Sequence, residues 1–160
     1  MERTATFSEC RKYRFVLTRH WEELKPTAMC IGLNPSNANA EKDDPTIRIL
    51  CKALKNLGYG TLHMLNLYSL VSSNPRKLLE CADPQNNNDE WLKEYGEIAD
   101  EVIFCWGSFK NISWRAKQII KLFPDAKCFG RNKDGSPIHP MALMYSGKTW
   151  EAKLEDYELH

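Results

Sequence analysis

Apolar residues along the chain form continuous runs in some segments and periodic patterns in others. The runs TAMCIGL (27–33), TLHMLNL (61–67) and EVIFCWG (101–107) have the composition of strands that are covered on both faces. A shorter run, AKCFG (126–130), predicts a fourth buried strand. The segment YRFVLTRHW (13–21) instead alternates apolar and polar residues, which indicates a half-buried strand.

Amphipathic segments with helical spacing separate these strands. Asp44 is a suitable N-cap for the first of them, Pro45 fits the first helical position, and Gly58 is placed to end the helix. The predicted helices span residues 45–57, 74–81, 89–99 and 112–123.

Strands that alternate with amphipathic helices imply a parallel sheet with helices on both faces. We therefore predict a single α/β domain over residues 1–160, with three α/β/α layers. Its sheet is mainly parallel and four-stranded, with 13–21 as an N-terminal edge strand. Ligands in such sheets bind outside the carboxyl ends of the strands. The segments GLNPS, NLYS, WGSF and GSPIHP are expected to converge there.

Composition narrows the classes of function. Lys and Arg total 22 against 21 Asp and Glu, a net charge of +1, which argues against a protein held on nucleic acid by bulk charge. The first residues, MERTATFSEC, lack the apolar core of a signal peptide, and no run approaches ~18 apolar residues. These features predict a soluble cytoplasmic protein without a membrane partner.

The six cysteines contain no Cys-x-x-Cys pair, the spacing that zinc and iron–sulfur sites usually use. Cys30, Cys105 and Cys128 lie inside apolar runs, where a free thiol behaves as a small hydrophobic side chain. The prediction is reduced core cysteines, with no metal and no cofactor.

Asn66 is the most informative polar residue, because it interrupts an apolar strand. A buried amide without partners costs roughly 1–3 kcal/mol, so it requires a partner in a neighbouring loop or in a ligand. The paired donor and acceptor of an asparagine can read the edge of a base. The residue pattern leaves both roles open.

Other polar residues at the same edge are candidates for chemistry. Asn34 can orient a water or a polar ligand, or can be a turn residue that bonds its own backbone. His139 can donate a hydrogen bond to a developing anion or carry a proton, and a solvated loop histidine is the plainer alternative. Asp43 and Asp44 resemble paired carboxylates. Helix capping explains Asp44 and solvation explains Asp43, so no metal site is predicted.

Over most of its length the sequence resembles the bacterial and phage family called domain of unknown function 1643. The matching stretches are YRFVLTRHW, GLNPSNANAEKDDPTIR, NLYSL, NPRKLLECADP, ND, WGS and KDGSPIHPMAL. Because this family has no established activity, the resemblance implies a relationship and supplies little about function.

Four short motifs also resemble, in their order, those of the uracil-DNA glycosylase superfamily. Gly32-Leu33-Asn34-Pro35 is similar to the first superfamily motif, Gly-x-Asp/Asn-Pro, and Asn66 ends the next apolar strand, as the base-reading asparagine does. VIFCWGS (102–108) is similar to the run that ends in Trp-Gly-Ser, and residues 139–143 are similar to His-Pro-x-x-Leu. The resemblance implies a parallel α/β/α fold of the uracil-DNA glycosylase type.

The chemistry that this resemblance implies is cleavage of an N-glycosidic bond in DNA or in a nucleotide. Asn34 would position the attacking water, His139 would donate a hydrogen bond to the departing base, and Asn66 would read the base. Other implied site residues are Gly32, Leu33, Pro35, Tyr68 and Trp106 around the base, Leu143 as an apolar wedge, and Arg131 and Lys133 near phosphates.

Two other functions stay open at this point. A non-catalytic module could recognise a nucleotide or nucleic acid through an inherited pocket, which the near-neutral charge and the Asn34 amide, unable to accept a proton, both favour. The same fold could also serve as a scaffold for a protein partner. The predicted ligands are a nucleobase, a nucleotide or DNA. The glycosylase-like function requires the side chains of Asn34, Asn66 and His139 to face one cavity.

Overall fold

The computed structural model describes residues 1–145 and 151–158. In this part of the chain one mixed sheet of seven strands is accompanied by five helices. The strands are β1 (Glu2–Phe7), β2 (Arg14–His20), β3 (Thr27–Gly32), β4 (Thr61–Asn66), β5 (Glu101–Phe104), β6 (Lys127–Cys128) and β7 (Glu155–Asp156). The helices are α1 (Pro45–Asn56), α2 (Lys77–Glu80), α3 (Asp89–Ile98), α4 (Ser113–Leu122) and α5 (Met141–Tyr145).

The order of strands across the sheet is β1-β2-β4-β3-β5-β6-β7. The central strands β4, β3, β5 and β6 run parallel, as the continuous apolar runs predicted. β1 and β2 add an antiparallel pair on one side, and β7 adds an antiparallel strand on the other. The carboxyl ends of β3, β4 and β5 therefore lie at the same edge of the sheet.

The prediction that residues 13–21 form an edge strand is wrong. β2 lies between β1 and β4, so the edge position belongs to β1. The β1 sequence, ERTATF, has few apolar residues and is mostly exposed, which explains why its pattern gave no strand signal. β7 has only two residues and was also not predicted.

The caps of α1 agree with the prediction. Oδ1 of Asp44 accepts a hydrogen bond from the Ile47 N–H at 3.0 Å, and Pro45 occupies the first turn. Gly58 follows the C-cap residue Leu57 with φ of +92°, a conformation that favours glycine. The helix predicted over 74–81 is shorter in the structure, and α5 had no predicted counterpart.

Helices cover both faces of the sheet. Along β3, Ala28 and Cys30 belong to one buried apolar cluster, whereas Met29 and Ile31 belong to a second. Since successive strand residues point to opposite faces, the two clusters lie on opposite sides of the sheet. The first cluster includes apolar residues of α1 and α5, and the second includes residues of α2, α3 and α4.

Free thiols form part of this core. Cys30, Cys105 and Cys128 are completely buried and unbridged, as predicted for core cysteines. Within residues 1–145 and 151–158, no three His, Cys, Asp or Glu side chains are grouped as metal ligands would be. No helix in the described ranges is long and apolar enough to cross a membrane.

Candidate functional site

A cavity of about 330 Å³ lies at the carboxyl ends of β3, β4 and β5, beside the first turn of α1. Its volume falls in the range of about 300–1,000 Å³ that is usual for small-molecule sites. Asn34, Asn66 and His139 all line it, although they are far apart in the sequence. The structure also places Gly32, Leu33, Pro35 and Trp106 along its walls.

Asn66 is the last residue of β4 and is only 3% exposed. Neither Oδ1 nor Nδ2 of its side chain has a hydrogen-bond partner in the described part of the chain, and both atoms are enclosed. A buried amide without partners costs about 1–3 kcal/mol. The fold thus leaves one donor and one acceptor unused in a residue that lines the cavity.

A buried polar network holds the backbone at this end of β4. Nδ2 of Asn88 donates to the Asn66 carbonyl at 2.9 Å, and Nε of Arg115 donates to the Leu67 carbonyl at 2.9 Å. Arg115 also donates to Oδ1 of Asn88 and forms an ion pair with Asp89 at 2.7 Å. The position of Asn66 is therefore set by its main chain, and its side chain is left for other contacts.

His139 has a defined tautomer in its neutral form. Nδ1 accepts a hydrogen bond from the Met141 N–H at 3.1 Å, so the ring proton is on Nε2. Burial lowers the pKa of His139, and the charge of Asp44 opposes this shift. The histidine is accordingly a neutral Nε2–H donor at pH 7.

Gly107 makes room for this histidine. Its φ is +78°, and a Cβ at this position would lie 3.3 Å from Cβ of His139. The glycine of the Trp-Gly-Ser segment thus permits the close approach of the loop that carries His139.

Asn34 joins two loops at the rim of the cavity. Its Nδ2 donates to the Pro35 carbonyl at 3.1 Å and to the Ser72 carbonyl at 2.9 Å. No described residue donates to its Oδ1. The amide nitrogen is therefore used within the fold, whereas the oxygen can still accept a hydrogen bond from a water or a ligand.

Asp44 is the one carboxylate among the described residues that line the cavity. Its role as N-cap, which the sequence predicts, therefore coexists with a position inside the site. Solvation does not explain Asp43, contrary to the prediction. One of its oxygens accepts a hydrogen bond from Nε of the fully buried Arg19 at 2.8 Å, which ties the loop before α1 to β2.

Several predicted site residues do not line this cavity. Tyr68 is buried in the cluster that contains α3 and α4. Leu143 is 7% exposed and packs in the cluster that contains α1, so in this structure it is a core residue and does not project as a wedge. Arg131 donates to the Asp156 carbonyl and lies over the Tyr157 ring, and Lys133 is exposed on the neighbouring loop.

Two aromatic residues differ in what they offer a ligand. The ring of Trp106 packs on Phe104 with centroids 4.6 Å apart and is nearly buried, so it supports the site from behind. Phe109 is half-buried and lines the cavity, which makes it the better candidate for stacking on a flat ligand. Phe109 is not among the predicted site residues, because it lies two residues after Gly107 and outside the four motifs.

Sequence reasoning also missed Arg14, a buried residue that lines the cavity. Val16 pairs with Thr6 and Arg14 pairs with Phe7, so Phe15 is an extra residue in β2, a β-bulge. In a regular strand, where side chains alternate between the two faces of the sheet, Arg14 would lie on the same face as Val16, away from α1. The bulge turns the Arg14 side chain to the opposite face, where its guanidinium donates to the Ala38 carbonyl in the loop before α1.

Comparison with known proteins assigns the chain to a family but identifies no activity. The model of the family described as Protein of unknown function (DUF1643) matches residues 14–141, and the chain belongs to this family. No curated protein and no solved structure matches the chain significantly. The uracil-DNA glycosylase resemblance consequently has no support from these comparisons and depends on the motifs and on the geometry of the cavity.

Proposed function

We propose that this member of the DUF1643 family recognises a nucleobase in the cavity at the ends of β3, β4 and β5 and hydrolyses its N-glycosidic bond. The observation that carries the proposal is the unpartnered amide of Asn66. A base edge presents an acceptor beside a donor, which is the complement of an amide. A ligand of this kind supplies the hydrogen bonds that the fold does not give to the Asn66 side chain.

The apolar and polar walls suit a flat heterocycle. Phe109 and Leu33 offer apolar surface, while Asn66 and His139 offer polar groups. Small-molecule sites typically combine mostly apolar walls with a few polar groups that fix orientation. The cavity volume of about 330 Å³ also suits a ligand of nucleoside size.

The proposed reaction assigns a separate role to each polar residue. The oxygen of a water forms a bond to the anomeric carbon while the C–N bond breaks and its electron pair moves to the base. Nε2–H of His139 stabilises the negative charge on the base. Oδ1 of Asn34 orients the water, and Asp44 accepts the proton that the water loses.

The order of the four motifs supports a finer proposal about the fold. We infer a three-layer α/β/α arrangement of the uracil-DNA glycosylase type, in which Gly32-Leu33-Asn34-Pro35 and His139-Pro140 are on opposite sides of the base. Leu143 has no role as a wedge in this proposal, since it packs in the core.

The test is a base-release assay with enzyme in excess. Substrates are nucleosides, nucleotides, and single-stranded and duplex DNA that contain uracil, mismatched or modified bases, and the free base is measured by chromatography. We expect release from at least one substrate, loss of release with Asn66→Leu, and full release with the control Lys93→Ala, which changes an exposed residue of α3. Absence of release from every substrate contradicts the hydrolase proposal.

A non-catalytic nucleotide-binding module is the second candidate, and one observation favours it. Because Nδ2 of Asn34 is used to join two loops, the residue has a sufficient structural role without chemistry. Thermal shift with nucleobases, nucleosides and nucleotides separates the two candidates. Stabilisation that depends on Asn66, without base release, supports the binding module.

A further inference from the structure

Among the described residues, three arginines are almost completely buried, and two of them have carboxylate partners. Arg19 is 0% exposed and pairs with Asp43 at 2.8 Å. Arg115 is 1% exposed and pairs with Asp89 at 2.7 Å. This agrees with the general rule that buried charges are paired.

Arg14 departs from that rule. It is 3% exposed, its guanidinium makes one hydrogen bond, from Nη1 to the Ala38 carbonyl, and its Nε is enclosed without a partner in the described part of the chain. Burial lowers the pKa of Arg14 to about 10, so it still carries its charge at neutral pH. The neighbouring carboxylate of Asp44 raises this pKa, yet the two groups do not form an ion pair. The buried charge is left without a bonded anion.

Most groups around Arg14 in the cavity favour an anion, and the carboxylate of Asp44 is the exception. Thr46, in the first turn of the twelve-residue helix α1, lines the same cavity, where the helix dipole favours negative charge. Hydroxyl groups that can donate to an anion are also present among the lining residues, at Ser36 and Ser73, whereas those of Ser72 and Ser108 donate to the Asn74 carbonyl and to Asp134. The β-bulge at Phe15 is what turns the guanidinium toward this space.

We propose that Arg14 and Thr46, in the first turn of α1, form a subsite for the phosphate of a mononucleotide whose base occupies the Asn66 subsite. This inference rests on the proposed function, because the base subsite supplies the nucleoside part of the ligand. A phosphate is the partner that a planar, charged guanidinium binds best, through parallel N–H···O bonds.

A mononucleotide fits the charge distribution better than DNA does. Binding to DNA depends on many exposed cations along the backbone path. Here the unpaired cation is buried within the cavity, the net charge of the chain is only +1, and the exposed Arg131 is held against Tyr157 and the Asp156 carbonyl.

The test is isothermal titration calorimetry at constant ionic strength with nucleoside 5′-monophosphates, the matching nucleosides, inorganic phosphate and a short single-stranded oligonucleotide. We expect at least one mononucleotide to bind roughly tenfold or more tightly than its nucleoside, as a charge-assisted hydrogen bond to phosphate implies. Arg14→Gln should bring the ratio of the two affinities close to one. Lys93→Gln, a control that removes an exposed cation of α3 outside the cavity, should leave that ratio unchanged.

Folding of Arg14→Gln is checked by circular dichroism, because the change removes a buried hydrogen bond to Ala38. Arg14→Lys keeps the charge without the planar fork and should retain part of the ratio. The ratio of mononucleotide affinity to nucleoside affinity in the wild-type protein tests the subsite without any variant.

The outcomes separate this inference from the proposed function. A mononucleotide that binds no more tightly than its nucleoside overturns the phosphate subsite and leaves base recognition intact. Inorganic phosphate that binds through Arg14, without binding of any base-containing compound, supports the subsite and contradicts the proposed function. An oligonucleotide that binds more tightly than every mononucleotide overturns the assignment to a mononucleotide.

Discussion

Gly32 and Asn66 are paired across the adjacent strands β3 and β4, and a Cβ on Gly32 would lie 2.7 Å from Oδ1 of Asn66. The close approach of the Asn66 side chain, at the end of β4, therefore explains why position 32 in the GLNP segment is a glycine. Two motifs that are separate in the sequence form a single contact at the floor of the cavity.

Gly32→Ala tests this contact. The added methyl group must displace the Asn66 side chain and the methyl group of Met64, which lies at the same 2.7 Å. We expect a loss of about 1–3 kcal/mol in the free energy of unfolding, as for other overpacked cores, together with weaker nucleobase binding. Chemical denaturation and thermal shift measure the two effects. In an Asn66→Ala background the penalty should shrink, and an unchanged penalty would show that the contact with Asn66 is not its cause.

Asn66 and Asn88 provide a matched comparison, because each is 3% exposed. Asn66→Leu removes an amide that has no partner, so the ligand-free protein should lose less than about 1 kcal/mol or become more stable, while ligand binding disappears. Asn88→Leu removes hydrogen bonds to Asn66, Leu67 and Arg115 and should cost roughly 2–4 kcal/mol. Urea denaturation of both variants gives the result. Equal losses would mean that the Asn66 amide is bonded in the folded state.

Asp44 has two roles that substitutions can separate. Asp44→Ala removes the N-cap of α1 and should cost about 1 kcal/mol, whereas Asp44→Asn keeps a capping oxygen and should melt like the wild type. If Asp44 takes the proton of the attacking water, Asp44→Asn should reduce base release by about 100-fold or more and leave ligand binding in place. Release that survives in Asp44→Asn would restrict this residue to helix capping.

The lowered pKa of His139 predicts how stability depends on pH. Because burial lowers the pKa in the folded state, the unfolded chain binds more protons as the pH falls below the ordinary value of about 6.5. Stability should therefore decrease from pH 7 downward and level off below the folded-state pKa. Melting curves between pH 8 and pH 5 should show a smaller decrease for His139→Gln than for the wild type. His63, whose pKa burial also lowers, accounts for part of the remaining decrease.

The sequence alone was sufficient to predict the helices and strands whose limits depend on residues close together in the chain. The four parallel strands follow from continuous apolar runs, and the limits of α1 follow from Asp44, Pro45 and Gly58. Parallel strands in turn bring Asn34, Asn66 and His139 to one edge of the sheet, where they line one cavity. In these cases the pattern of apolar residues within a segment, or the parallel direction of the strands, is enough to predict the structure.

Contacts between distant segments decided the rest. The weakly apolar β1 is a strand because β2 offers it a free edge, and its bulged pairing with β2 turns Arg14 toward the cavity against the two-residue period. Leu143 carries a motif resemblance but packs in the core, because α5 lies against α1. The sequence does not show which group a charged or partly apolar side chain contacts. Only the packing of elements far apart in the chain determines whether that side chain faces the core, the solvent or the cavity.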